Sequence, residues 1–120
     1  MLIVFGGLPG TGKTTLARAL AKERHATYLR IDTIEQALRS SEMLAEDVGP
    51  AGYLVAYALA EANLRLGQIV VADSVNPLAM TRDAWRKIAA AANRAIFEIE
   101  VVCSDADEHR RRIETRTQSP

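Results

Sequence analysis

The chain has 120 residues, 48% of them hydrophobic and 25% charged, proportions that fit one globular domain with a single packed core and leave no large disordered fraction. Fifteen basic residues balance fifteen acidic ones, which excludes a surface-wide basic field for long nucleic acid or anionic membrane, and the lone cysteine, Cys103, excludes an internal disulfide framework. No apolar run approaches the roughly 20 residues of a membrane span, and the first strand signal at Leu2 leaves no space for a leader, so a cytoplasmic setting is expected.

In chain order, LIVF (2–5) is an apolar run closed by Gly6 and Gly7, which reads as a buried parallel strand. Residues 14–24 follow with Leu16, Ala17 and Leu20 at helical spacing. TYLRI (27–31) predicts a second strand, and Ile34, Ala37 and Leu38 a short helix. After Gly49 and Pro50 comes a long helix over 51–66, with Leu54, Ala58, Leu59, Ala62 and Leu66 on one face and Gly67 placed to cap it. QIVVA (68–72) predicts a third strand ending at Asp73, 81–93 an alanine-rich helix, and IFEIEVV (96–102) a fourth strand. Asp105 and Glu108 fit a capping box that opens a last helix over 106–116.

Strands alternating with helix-length crossovers imply an α/β fold over residues 1–120, a parallel sheet of four strands with helices on both faces. Ligands of such sheets bind beyond the carboxyl ends of the strands. The polar residues there are Lys13 and Thr14, Asp32, Asp73, and Ser104 with Asp105.

Gly7-Leu8-Pro9-Gly10-Thr11-Gly12-Lys13-Thr14 matches the G-x-x-x-x-G-K-S/T pattern and lies between a strand and a helix, the context that gives the pattern its meaning. Glycines let the loop turn backbone N–H groups inward around phosphate oxygens, and the helix start adds free N–H groups and a positive dipole end. The expected nucleotide-binding set is therefore Gly7, Pro9, Gly10, Thr11, Gly12, Lys13, Thr14 and Thr15. Lys13 would reach the β- and γ-phosphates and Thr14 would hold Mg2+.

With GGLPGTGKTTLA, LRIDTIEQAL, VVADSVNP and VVCSDADEHRRRIETR in place, the chain resembles the P-loop kinase families rather than large motor ATPases or GTPase switches. It looks closest to small kinase-like AAA domain proteins related to polynucleotide kinases, chloramphenicol phosphotransferases and zeta toxins. The resemblance implies a P-loop NTPase three-layer α/β/α sandwich with kinase-like strand order. It also implies ATP and Mg2+ as cofactors, and transfer of the ATP γ-phosphoryl to a hydroxyl of a small molecule or nucleotide. Asp32 matches the carboxylate that deprotonates the acceptor, with a helix-cap role as the alternative. Asp73 matches the metal-holding carboxylate, with an acceptor-facing role shared with Ser74 and Asn76, or a turn-forming one, as the alternatives. Arg112 and Arg116, four apart on the last helix, match lid arginines that neutralise the transferring phosphoryl, with a solvated helix face as the alternative.

Relatives continue past the lid into a fifth strand that this chain is expected to lack. Strand 96–102 then lies at a free sheet edge, which suggests a homodimer formed across it. The competing function is a shortened, non-catalytic ATP-binding module. Tyr53, Tyr57 and Trp85 are candidates for an acceptor pocket or for core, His25 for a structural helix end, and Cys103 for a buried small hydrophobe.

Overall fold

The structure is a computed structural model that describes residues 1–7, 12–41, 50–74, 78–103 and 111–118. Its strands are β1 (Leu2–Gly6), β2 (Thr27–Arg30), β3 (Val70–Asp73), β4 (Ile96–Cys103) and β5 (Arg111–Gln118). Its helices are α1 (Lys13–Arg24), α2 (Ile31–Ser40), α3 (Ala51–Arg65) and α4 (Leu78–Ala91).

The sheet runs β2-β3-β1-β4-β5, with the first four strands parallel and β5 antiparallel to β4. All five residues of β1 and all four of β3 are buried, as expected of strands covered on both faces. Alternation divides the core. Ile3, Phe5, Val71 and Val101 face α1 through Ala17 and Ala21, whose small side chains let the helix sit close to the sheet. Leu2, Val4, Leu29, Val70, Ala72 and Ile96 face the opposite layer, where Ile31 of α2, Ala56 and Ala60 of α3, and Trp85 and Ile88 of α4 close the second core. The result is the expected three-layer α/β/α sandwich.

Three expectations are corrected. The last helix over 106–116 is not formed across 111–116, because Arg111–Gln118 is a strand in register with β4 from Ile96↔Gln118 to Cys103↔Arg111. Ile113, Thr115 and Thr117 alternate with charged residues at period two, a strand signal that outweighs the capping-box reading. The sheet accordingly has the fifth strand that the chain was expected to lack, antiparallel to its neighbour, and β4 lies between β1 and β5. Strand 96–102 therefore has no free edge in this fold, and the edge on which a homodimer was expected is occupied by β5.

The third correction concerns α3. Leu54, Leu59 and Leu66 are 61%, 43% and 77% exposed, and the buried stripe is Gly52, Ala56, Ala60 and Leu64. The helix is apolar nearly all round, so hydrophobicity alone does not choose its inner face. Close approach chooses it: a Cβ on Gly52 would fall 2.5 Å from Glu35 Cγ on α2. Only the small-residue stripe fits there. Gly67 does follow the helix end as expected, at φ +83° with its N–H bonded to the Leu64 carbonyl at 3.0 Å.

Candidate functional site

The site forms where β1 and β3 end side by side. Phe5 pairs with Asp73, and the Ser74 N–H donates to the Phe5 carbonyl at 2.9 Å, so the chain leaves both strands at one level. From β1 it passes through Gly7, which is buried at φ +136°; a Cβ there would stand 2.7 Å from the Val101 carbonyl oxygen. No other residue type fits that approach without displacing backbone. Pro9, Gly10 and Thr11 lie outside the described residues.

Helix α1 opens at Gly12, held in the left-handed conformation at φ 82°, with no side-chain cap and no acidic residue in its first turn. The first hydrogen bond back to Gly12 is from the Leu16 N–H, at 3.2 Å. The amides of Lys13, Thr14 and Thr15 therefore have no partner within the helix and meet the positive end of its dipole. Free backbone donors so placed suit an oxyanion.

The side chains of the site form a buried cluster around Asp73. Lys13 is 4% exposed and Asp73 fully buried, and the Lys13 ammonium donates to Asp73 Oδ1 in an ion pair. The Tyr28 hydroxyl donates to Asp73 Oδ2 at 2.7 Å. Burial first, then the hydrogen bond and charge of Asp73, raise the Tyr28 phenol well above its ordinary value, so it stays a donor throughout the neutral range. Arg30 links two carboxylates: its Nε lies 4.0 Å from Asp73 Oδ2 and its Nη2 lies 3.6 Å from Asp32 Oδ2. Asp73, Tyr28 and Arg30 belong together because 28 and 30 share the α1-facing side of β2, opposite Val71 and Asp73 in register.

Asp32 occupies the first turn of α2 and is about a third exposed, at 35%. The N-cap is Arg30, and it makes no side-chain cap bond, so Asp32 is not the capping residue. Its carboxylate suits the helix dipole, and among the described residues its one ion pair is with Arg30. Thr14 is half-buried and Thr15 exposed. Among the described residues, no group of three or more His, Cys, Asp or Glu side chains comes together as a metal cage. Thr14, next in sequence to the Lys13 that pairs with Asp73, offers with Asp73 a hydroxyl and a carboxylate, a donor set that fits a cation of the Mg2+ type, which takes few protein ligands and completes its shell with phosphate and water.

Arg112 and Arg116 do not join this cluster on a helix. They sit on β5, paired with Val102 and Glu98, and β5 is three places from β3 in the sheet. At about 4.8 Å per step that separates the strands by roughly 14 Å.

Two features were not foreseen. Tyr28 bonds directly to Asp73, and the only signal for it was its alternation with Arg30 in a strand next to the third. The second is Glu98, 1% exposed, which Arg82 clamps through Nε at 3.0 Å and Arg86 through Nε at 2.6 Å and Nη2 at 3.3 Å. Trp85 is core, fully buried and edge-on to Tyr57 with ring centroids 4.7 Å apart, while the Tyr53 hydroxyl and Ser74 Oγ share a hydrogen bond of 2.8 Å. His25 ends α1 in the left-handed conformation at φ 52°, a structural position.

A family model described as AAA domain matches residues 2–120. The chain belongs to the AAA domain family. Among solved structures it is similar to a protein of Chloroflexus aurantiacus that carries a provisional kinase designation, with a TM-score of 0.76 and 25% identity over 86% of this chain and 59% of that one. It also shares its fold with a gluconokinase from Sinorhizobium meliloti, with a TM-score of 0.55 and 19% identity over 87% of this chain and 58% of that one. By sequence it is 30% identical, over 81 residues, to a protein of Methanocaldococcus jannaschii described as a homologue of a 26S proteasome regulatory subunit. That match covers 68% of this chain and 20% of the relative. The AAA domain chain thus spans about a fifth of the length of this curated relative and under two thirds of both solved structures. Its architecture is that of a P-loop kinase. No helix among the described residues is long and apolar enough to cross a membrane.

Proposed function

We propose that this chain binds ATP with Mg2+ and transfers the γ-phosphoryl group to a hydroxyl of a small-molecule or nucleotide acceptor, in the cytoplasm. The observation that carries the reading is the meeting of Lys13, at an uncapped helix N-terminus, with the buried Asp73 at the end of the adjacent parallel strand.

Lys13 and the free amides of α1 would hold the nucleotide phosphates, and Thr14 with Asp73 would hold the metal. When bound, Mg2+ supplies charge neutralisation across the phosphates. Lys13 exchanges one anion for another on loading, from the Asp73 carboxylate to phosphate oxygen, so its charge is never left unpaired. Tyr28 keeps its hydrogen bond to Asp73 and holds that carboxylate in place. Asp32 would accept the proton of the acceptor hydroxyl, and Arg30, reaching both carboxylates, would fix its orientation.

The deciding experiment is calorimetric titration of the wild type and Lys13→Ala with MgATP, MgADP and MgGTP. Binding by the wild type that Lys13→Ala loses supports the reading, and absence of binding, or binding that ignores the substitution, overturns it. The likeness to a proteasome regulatory subunit homologue favours a second reading, nucleotide turnover without an acceptor. Phosphate release that proceeds equally with and without every hydroxyl acceptor would select it.

A further inference from the structure

A cavity of about 520 Å³ lies between α1 and the edge strand β2. Its helix wall is Thr15, Arg18, Ala19 and Lys22, spaced as one face of a helix, and Ala19 at the centre leaves the space open. Its sheet wall includes Tyr28, the residue whose hydroxyl holds Asp73. The other flank of α1 borders a smaller cavity of about 190 Å³ toward β4, apolar through Leu20, Phe97 and Ile99.

Arg18 and Lys22 put two cations four residues apart, an arrangement that destabilises a helix when nothing lies between them. The fold answers the same problem elsewhere. On α4, Arg82 and Arg86 have this spacing and share the carboxylate of Glu98. Among the described residues no carboxylate comes within ion-pair distance of Arg18 or Lys22. Arg18 is close enough to Tyr28 for its charge to act on the phenol, so both walls face one space.

We propose that this cavity is a second oxyanion site, in which Arg18 and Lys22 pair with a small soluble anion bearing phosphate or carboxylate groups and the Thr15 hydroxyl donates to it. The anion takes the place that Glu98 fills between the arginines of α4. Thr15 is the single residue shared with the phosphate-loop candidates, and the site does not rest on the nucleotide reading. Because Tyr28 forms one wall, occupancy is felt at Asp73 through the 2.7 Å hydrogen bond.

The test is a two-dimensional amide NMR titration of the full chain with inorganic phosphate, chloride-balanced to constant ionic strength. Saturable shifts are expected at Arg18, Ala19, Lys22 and Tyr28, with affinity falling at least about tenfold in Arg18→Gln/Lys22→Gln, since each charge-assisted bond is worth a factor of that order. Both side chains are exposed, and an otherwise unchanged spectrum shows that the variant folds. Ala19→Glu, which builds a carboxylate between the cations, should abolish the same shifts while keeping both of them. Shifts confined to Gly12, Lys13 and Thr14 would overturn the second site while supporting the phosphate loop. Shifts that never saturate, or that survive both variants, would overturn it as well. Saturation at the flank with silence at the loop would uphold this site and count against the nucleotide reading.

Discussion

Lys13 and Asp73, sixty positions apart in the chain, form a buried ion pair at the carboxyl edge of the sheet. Removing one partner of such a pair leaves an uncompensated charge and typically costs about 3–5 kcal/mol. Lys13→Ala is therefore expected to lower stability on that scale and to reduce phosphoryl transfer or hydrolysis by at least roughly 10²-fold, the loss typical of one charge-stabilising donor. Lys13→Met/Asp73→Leu, which fills the space with apolar groups, should recover much of the stability and none of the activity. Urea denaturation and turnover of the variants check the two halves separately.

Asp32 is set apart from the ion pair and touches it only through Arg30. Asp32→Asn should leave ATP affinity within about twofold, less than 0.5 kcal/mol, because a base for the acceptor does not hold the nucleotide. Transfer to any acceptor should fall by roughly 10²-fold or more, the lower range of general-base contributions. Loss of ATP affinity in the calorimeter would instead make Asp32 a structural or metal-site residue.

The alkaline stability of the protein should depend on Tyr28. Its phenol is raised in the folded state above an ordinary value near 10, so the folded chain holds a proton that the unfolded chain gives up. The stabilisation is complete below about pH 10 and declines as pH rises from there toward the folded value. Tyr28→Phe should be the less stable chain at pH 8, through loss of the Asp73 hydrogen bond, yet show a shallower decline between pH 9.5 and 11. Denaturation midpoints across that range decide it, and parallel curves would mean that Tyr28 does not carry the dependence.

Two glycines with positive φ should respond differently to alanine. At Gly7, φ +136° and a Cβ 2.7 Å from the Val101 carbonyl combine strain with a backbone clash. Gly7→Ala should cost about 1–3 kcal/mol for conformation alone, and more once β4 is displaced. At Gly67, φ +83° with nothing within 4 Å of the added carbon leaves only the left-handed penalty, about 1–2 kcal/mol. Comparable denaturation midpoints for the two variants would mean that the Val101 contact relaxes freely.

The first four strands, the helix that follows the P-loop motif and the order of the described elements up to Cys103 were legible because each has a strong local cause. These causes are an apolar run closed by glycine, a helix with small residues at its sheet-facing positions, and a motif lodged between the two. The meeting of Lys13 with Asp73 followed from one topological rule, since a parallel sheet collects its polar termini at one edge. The helix expected over 106–116 gives way to a strand across 111–116 because a capping pattern is local, while the period-two alternation of Ile113, Thr115 and Thr117 stabilises a strand only where a partner such as β4 stands alongside.

Other features had no local cause to read. The buried face of α3 was decided by how closely Gly52 meets Glu35, a distance between two helices. The clamp on Glu98 needed α4 to lie across β4, so that arginines four apart could meet one carboxylate. The sequence by itself determined an α/β chain with a glycine-rich P-loop motif between its first strand and first helix, because glycine backbone freedom and strand hydrophobicity act over a few neighbouring residues. Only the tertiary structure decided that Asp73 would be held between Lys13 and Tyr28 and that β4 would be covered by β5. Those contacts depend on which strands become neighbours, and that is settled by the packing of the whole sheet.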